Sequence, residues 1–255
     1  MAELIERERR PPQTGQDRAL DVLAVGAHPD DVELTCGGTL VRCTEQGYRV
    51  GILDLTRGEM ATRGSPELRS EEAARAAEAL GVAVRENAGL PDAGLFNTRE
   101  SRNCLVAILR RLRPGLVILP FYRGRHPDHR IGAEIARDAC FLAGLGSYAG
   151  GPAHRPRKIL YALAYREDPV KPTFVVPLTG EEFDRKMQAI RCYASQFEGK
   201  VSAGEVFPTG EPLYERIETQ SRHYGSLIRQ PYGEPFFTEE TVQVDDVVTL
   251  PVQSM

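Results

Sequence analysis

A rhythm in the sequence constrains this chain more than any other feature. Runs that are apolar almost from end to end, LDVLAVGA at 20–27, RVGILDLT at 49–56 and LVILPFY at 116–122, alternate with stretches patterned as helices. A strand that is apolar on both faces needs cover on both, which points to a parallel sheet with crossover helices on either side. VRENAGL at 84–90, less apolar, reads as the third strand in chain order. Right-handed crossovers then give a doubly wound, Rossmann-like α/β fold, the first five strands lying in the order 3-2-1-4-5.

The connecting stretches carry helix punctuation. A helix from about Val32 to Gln46 is closed by Gly47. Ser65 as N-cap, Pro66 in the first turn and Gly81 just past the end frame a second. Residues 98–113 put Leu105, Ile108, Leu109 and Leu112 on one face, and a fourth helix spans about Asp128 to Leu142. Beyond it, KILYALAYRE (158–167) and TFVVPLT (173–179) read as strands of a C-terminal strand and helix extension. Thr179 with Glu182 forms a capping box that opens a helix to about Phe197, and another covers roughly 212–228. Residues 1–19 are expected to be a flexible arm and 20–255 one domain. The loops at 144–157 and 199–212, rich in Gly and Pro, are expected to serve as lids or subunit contacts.

Against this frame two polar clusters stand out. VGAHPDD (25–31) ends the first strand with a histidine, a proline and two aspartates, and RHPDH (125–129) follows the fourth. Unpaired charges buried there would cost several kcal/mol each. In the expected order the first and fourth strands are neighbours at the switch point of the sheet, where ligands bind beyond the carboxyl ends. The clusters should therefore converge. His28, Asp31 and His129 can offer two nitrogens and one oxygen to a metal and leave a position open, the pattern of catalytic zinc, with Fe(II) also compatible. Asp30, beside a ligand, is placed to act as general base. His126 and Asp128, two apart around Pro127, read as a charged pair for a developing oxyanion or a leaving group. Together they describe hydrolysis of an acyl bond. His154 and His223 read as surface histidines. Gly37 and Gly38 in CGGT do not complete a dinucleotide motif and read as sites of close helix packing or substrate approach.

Composition removes several classes. With 32 basic and 36 acidic residues the net charge is −4, which offers no basic face for nucleic acid. No apolar run reaches membrane-spanning length, and the N-terminal residues have no signal-peptide core. Five scattered cysteines lack a Cys-x-x-Cys pair and suit a reducing compartment, so a cytoplasmic location is expected. A non-catalytic metal- or sugar-binding module remains an alternative, although binding alone does not require Asp30, His126 and Asp128. An Fe(II) oxygenase would need a co-substrate site that the sequence does not display.

AHPDD followed much later by HPDH resembles the LmbE / PIG-L superfamily of zinc-dependent N-acetylglucosamine deacetylases. DLTRGEMATRG, LRSEEAARAAEALGV, RENAGLPD, DACFLAGL, YASQF and YGEPF bring the resemblance closer to the bacillithiol-biosynthesis deacetylases, over most of residues 20–237. The resemblance implies His28, Asp31 and His129 as metal ligands, Asp30 as base and His126 with Asp128 as the charged pair. It further implies sugar contacts from Arg69 and Asp92, N-acetylglucosaminyl malate as substrate (with a chitooligosaccharide or other glycoconjugate as alternative) and a homo-oligomer, a hexamer among the forms. A malate aglycone carries two carboxylates. Arg57, Arg63 and Arg125, on loops at the same sheet edge, are the candidates to bind them.

Overall fold

The computed structural model of the protein describes residues 19–163, 170–198 and 211–252. The apolar runs form β1 (Val22–Gly26), β2 (Val50–Asp54), β3 (Val84–Asn87), β4 (Leu116–Pro120) and β5 (Lys158–Ala162), all paired in parallel. β6 (Phe174–Leu178) and β7 (Tyr232–Phe237) complete a sheet of order β3-β2-β1-β4-β5-β7-β6, in which β7 alone runs antiparallel to its neighbours. The expected 3-2-1-4-5 order is observed. Adjacent residues of one strand serve opposite cores, as the pleat requires. Val22 and Ala24 pack with Leu40 of α1 (Asp31–Glu45) and Ala76 and Leu80 of α2 (Pro66–Leu80). Leu23 and Val25 pack with Leu105 and Leu109 of α3 (Arg99–Leu112) and Ile135 of α4 (Pro127–Ala143).

The helix punctuation holds at residue level. Ser65 Oγ accepts the amide of Leu68 at 3.2 Å, and Gly81 ends α2 with φ +72°, a conformation that costs glycine nothing. Thr179 and Glu182 form the reciprocal capping box of α5 (Gly180–Arg191). That helix stops short of Phe197. Tyr193 is fully buried with its hydroxyl donating to Glu33 Oε1 at 2.9 Å, so the chain turns inward there and resumes as α6 (Ala194–Phe197). α7 (Glu211–Leu227) then leads to β7.

β7 is the strand that sequence pattern does not announce, because YGEPFF carries a glycine, a buried acid and a proline, all disfavoured in strands. The acid has a structural task. α1 is kinked at Cys36 (φ −140°, ψ 17°), and the turn that restarts it directs two amides at the Glu234 carboxylate, Gly38 N at 3.0 Å and Thr39 N at 2.7 Å. Thr39 Oγ1 adds a bond of 2.6 Å and Lys186 Nζ an ion pair of 2.6 Å. Gly38 must be glycine here, since a Cβ would lie 2.4 Å from Leu178 Cδ1. Close packing is thus what Gly38 of CGGT provides, whereas a Cβ at Gly37 would meet Lys186 Cγ at an ordinary 3.4 Å. No helix among the described residues is long and apolar enough to cross a membrane. Residues 1–18 of the expected N-terminal arm and 199–210 of the 199–212 loop lie outside the described residues.

Candidate active site

The carboxyl ends of β1 and β4 bring the two polar clusters together. After β1 the chain makes a tight turn in which Asp31 accepts the amide of His28 through Oδ2 at 2.9 Å, fixing both side chains before α1 begins. Asp30 occupies φ 113°, a positive region that costs a non-glycine residue on the order of 1–3 kcal/mol. It is held there by Arg69 from the first turn of α2, whose Nη2 donates to Asp30 Oδ2 at 2.8 Å and to the carbonyl of Pro29 at 2.7 Å. Arg69 Nε bonds the same carbonyl at 3.0 Å. Arg69 is 6% exposed, so it reads as a brace for Asp30, with these donors engaged by the protein rather than by a sugar.

Across the cleft His129, two residues into α4, places Nε2 3.1 Å from Asp31 Oδ1, while Asp31 Oδ2 lies 3.4 Å from His28 Nδ1. Asp31 thus bridges the two expected ligand histidines. One imidazole nitrogen each of His28, His126 and His129 also lies within 4.8 Å of the others, so His126 stands beside the two expected ligand histidines. On the far side of His28, Nε2 meets Asp92 Oδ1 at 3.0 Å and Asp128 Oδ2 at 3.6 Å. Asp92 is therefore part of the cluster and not merely a turn former.

His126 and Asp128 do not meet as an ion pair. The His126 ring caps α4, its Nδ1 accepting the Asp128 amide at 3.2 Å. The Asp128 carboxylate turns instead to the amide of Ala93, 2.7 Å away, and to His28. The 91–93 turn is fastened at the same time from the 57–61 loop: Glu59 accepts the Asp92 amide and Asp92 accepts that of Met60, both at 2.8 Å. Glu59 was not singled out in sequence. Its signal would have been an acid in a glycine-bounded loop after a strand end on the site's edge.

Charge explains what the site is built to hold. Burial disfavours a charged His28, yet hydrogen bonds that its ring donates to Asp31 and Asp92 overcome it and push the imidazole up to about 11. His129 is likewise raised despite burial, by Asp31, while Asp31 itself, despite its burial, is held well below the usual carboxylate range by His129 and His28. Burial raises Asp30 to about 7, with Arg69 opposing the rise. His126 is lowered, by burial and by its two histidine neighbours. Beyond the Asp30–Arg69 pair, Asp31, Asp92 and Asp128 converge on the His28 imidazole, and Asp31 also meets His129, so negative charge gathers where imidazole nitrogens meet. A divalent cation answers that charge, and the mixed nitrogen and oxygen donors suit zinc or Fe(II). The residues present fit a metal.

The other expected contacts lie further out. Arg57 is exposed and, with Pro29, Ser70 and Arg85, lines a cleft of about 560 Å³ between α2 and β3. Arg125 is exposed beside His126, and Arg63 donates to the carbonyl of Glu198 at 3.2 Å. His223 is exposed, whereas His154 is partly buried, with Nε2 2.8 Å from the Pro114 carbonyl. The structure does not bring these two histidines to the site.

Comparison with known proteins agrees with this geometry. Residues 23–140 match the PIG-L family, described as GlcNAc-PI de-N-acetylase. A diacetylchitobiose deacetylase of Thermococcus kodakarensis is 32% identical over 84% of this chain and 80% of its own. The chain belongs to the PIG-L family. A probable N-acetyl-alpha-D-glucosaminyl L-malate deacetylase of Bacillus anthracis is 32% identical over 71% of this chain and 83% of its own. Among solved structures, a conserved protein of Thermus thermophilus superposes with a TM-score of 0.79 at 37% identity, covering 89% of this chain and 98% of that one. The chain is thus a metal-dependent deacetylase acting on N-acetylglucosamine-type sugars.

Proposed function

We propose that the protein uses zinc to hydrolyse the N-acetyl group of an N-acetylglucosaminide, with N-acetylglucosaminyl malate as the leading substrate. The observation that carries the chemistry is Asp30: a carboxylate buried beside the His28, Asp31 and His129 cluster, clamped by Arg69 and shifted to about 7, the range in which a base serves best near neutral pH. His28, Asp31 and His129 would hold the metal. Bound there, zinc would supply Lewis acidity, making a water more acidic and polarising the acetyl carbonyl.

The remaining work falls to the chain. Asp30 takes a proton from the attacking water as its oxygen bonds to the acetyl carbon. Because His126 Nδ1 accepts the Asp128 amide, the neutral ring carries its proton on Nε2, and that N–H can hydrogen-bond the developing oxyanion without leaving the ring. Asp128 and Asp92 hold His28 in orientation from behind. As the C–N bond breaks, the proton held by Asp30 passes to the leaving nitrogen, and acetate and a free amine result.

Arg57 and Arg125, at the rim, are the residues proposed to receive the malate carboxylates. The longer match to a diacetylchitobiose deacetylase supports a second substrate reading, with a second amino sugar as aglycone. Five free thiols support a reducing, cytoplasmic setting. Acetate release by the zinc-loaded protein from N-acetylglucosaminyl malate, diacetylchitobiose and N-acetylglucosamine tests the assignment. A kcat/KM for the malate conjugate at least tenfold above the others is expected. A preference for diacetylchitobiose installs the second reading, and no release from any of the three overturns both.

A further inference from the structure

His126 rides on the loop between β4 and α4, and side-chain packing does little to hold it there. Arg123, Arg125, His126 and Pro127 are all exposed. Its task as donor to the oxyanion nevertheless demands a fixed place. The ring stands against those of His28 and His129, each with its centroid 4.9 Å away. An error of about 1 Å in such a donor can cost on the order of a hundredfold in rate. An exposed group with that requirement has to be placed through its backbone.

The loop is anchored at its start. Phe121 is buried, and the Tyr122 ring packs on those of Phe121 and Tyr161, with centroids 4.8 and 5.1 Å apart. A turn follows in which the Gly124 amide donates to the Phe121 carbonyl at 3.0 Å. What comes next is gathered by a single residue of α4. Arg130 Nη1 donates to the carbonyls of Gly124, at 3.1 Å, and Arg125, at 2.9 Å. Its backbone amide donates to the carbonyl of His126 at 3.3 Å. Three successive carbonyls, those of residues 124, 125 and 126, therefore end on Arg130. The two hydrogens of one guanidinium nitrogen suffice for the first two. The position is otherwise a poor one for a cation. Arg130 is the fourth residue of α4, in the first turn, where the helix dipole opposes positive charge, and it follows His129 directly. A cation kept there has a task that outweighs the repulsion.

We propose that Arg130 is a positioning residue for deacetylation, holding the 124–126 backbone so that His126 Nε2–H meets the oxyanion. The proposal rests on the reading of His126 as the oxyanion donor. Arg130 Nη1 turns to the loop, so its effect on the rate passes through His126. Of the residues it grips, Gly124 is the pliable one, since glycine turns where other residues resist. Release of that carbonyl lets His126 shift against His28 and His129 while α4 stays formed.

Steady-state kinetics of the full-length, zinc-loaded protein on N-acetylglucosaminyl malate and on N-acetylglucosamine test this. Arg130→Gln, too short to reach the loop carbonyls, should lower kcat about tenfold on both substrates, with KM within about twofold of wild type and zinc stoichiometry unchanged. Arg130→Lys, which keeps its donors on a long stem, should recover all but about threefold of kcat. His126→Ala should lower kcat about a hundredfold. In that background Arg130→Gln should cost less than about twofold more, as a residue acting only through His126 must. Loss of scaffold would lower both backgrounds alike. An unchanged kcat in Arg130→Gln, a loss carried by KM, a lysine variant no better than the glutamine one, or a loss undiminished in His126→Ala would each overturn the proposal and leave the oxyanion reading standing. An unchanged kcat in His126→Ala would overturn both.

Discussion

Two buried groups of carboxylates in this molecule face opposite fates. In the interior, Glu234 is saturated by Lys186, two amides and a hydroxyl, and Asp54 accepts two bonds from Arg85, at 2.8 and 2.9 Å, while Arg85 also grips Glu33. At the carboxyl ends of β1 and β4, Asp31, Asp92 and Asp128 meet amides and imidazoles, while the Arg69 guanidinium beside them bonds Asp30 and the Pro29 carbonyl. Each interior carboxylate is met by a cation that the chain itself supplies, although Glu33 keeps one buried oxygen without a hydrogen-bond partner among the described residues. The mouth is closed only when something positive is added, either protons on His28 and His129 or a metal. Burial is common to both; what separates a scaffold from a site is whether the chain supplies the balancing charge.

The comparison can be broken from either side, and the largest effect is expected at the mouth. Stripping the metal with a chelator should abolish acetate release, and zinc should restore it, while the urea midpoint of the apo protein shows that the interior clusters still hold the fold. Next, Asp30→Asn should lower kcat by about a thousandfold, in the range of a lost general base, with zinc stoichiometry by elemental analysis unchanged. In the interior, Lys186→Met leaves the Glu234 charge uncompensated and should cost about 3–5 kcal/mol of stability in denaturant titration.

A smaller effect concerns pH. Arg69 opposes the burial-driven rise of Asp30, so Arg69→Met should raise the Asp30 pKa further. Because the base must be ionised, the acidic limb of the pH–kcat profile moves to higher pH, and the loss at pH 6 should exceed that at pH 8 by about tenfold. An unshifted limb would sever Arg69 from the base. Smallest of all, Arg57→Ala or Arg125→Ala should raise KM for the malate conjugate about tenfold and leave N-acetylglucosamine turnover unchanged. Equal losses on both would count the arginine as scaffold.

These contrasts also explain what the order of amino acids alone makes legible. Strand order and the meeting of HPDD with HPDH were legible because both depend on local signals: apolar runs, helix caps, and polar residues at strand ends. Asp92 was legible as a site-edge residue, but its contact with His28 was not, since that requires the 91–93 turn to be pinned by Glu59. The pairing of Asp128 with the Ala93 amide rather than with His126 was hidden for the same reason. β7 and its glutamate escaped because pattern arguments penalise glycine, proline and a buried acid in one strand. Asp54 in GILDLT and Glu33 in DVELT drew no notice, because a lone acid in an apolar stretch does not show which distant residue balances it. Arg85 is that residue.

Glu234 also bears on how the chain is made. It accepts the amides of Gly38 and Thr39 across 196 and 195 residues of sequence. On a ribosome adding about 5–20 residues per second, the restarted half of α1 waits roughly 10–40 s for the carboxylate that completes it. During that interval β1, β2 and their helices exist without the residue that fastens α1 beside the His28–Asp31 turn. The nascent N-terminal half is therefore a dependent of the last strand to emerge, and a chain released early would carry both polar clusters on a scaffold that had not yet been closed.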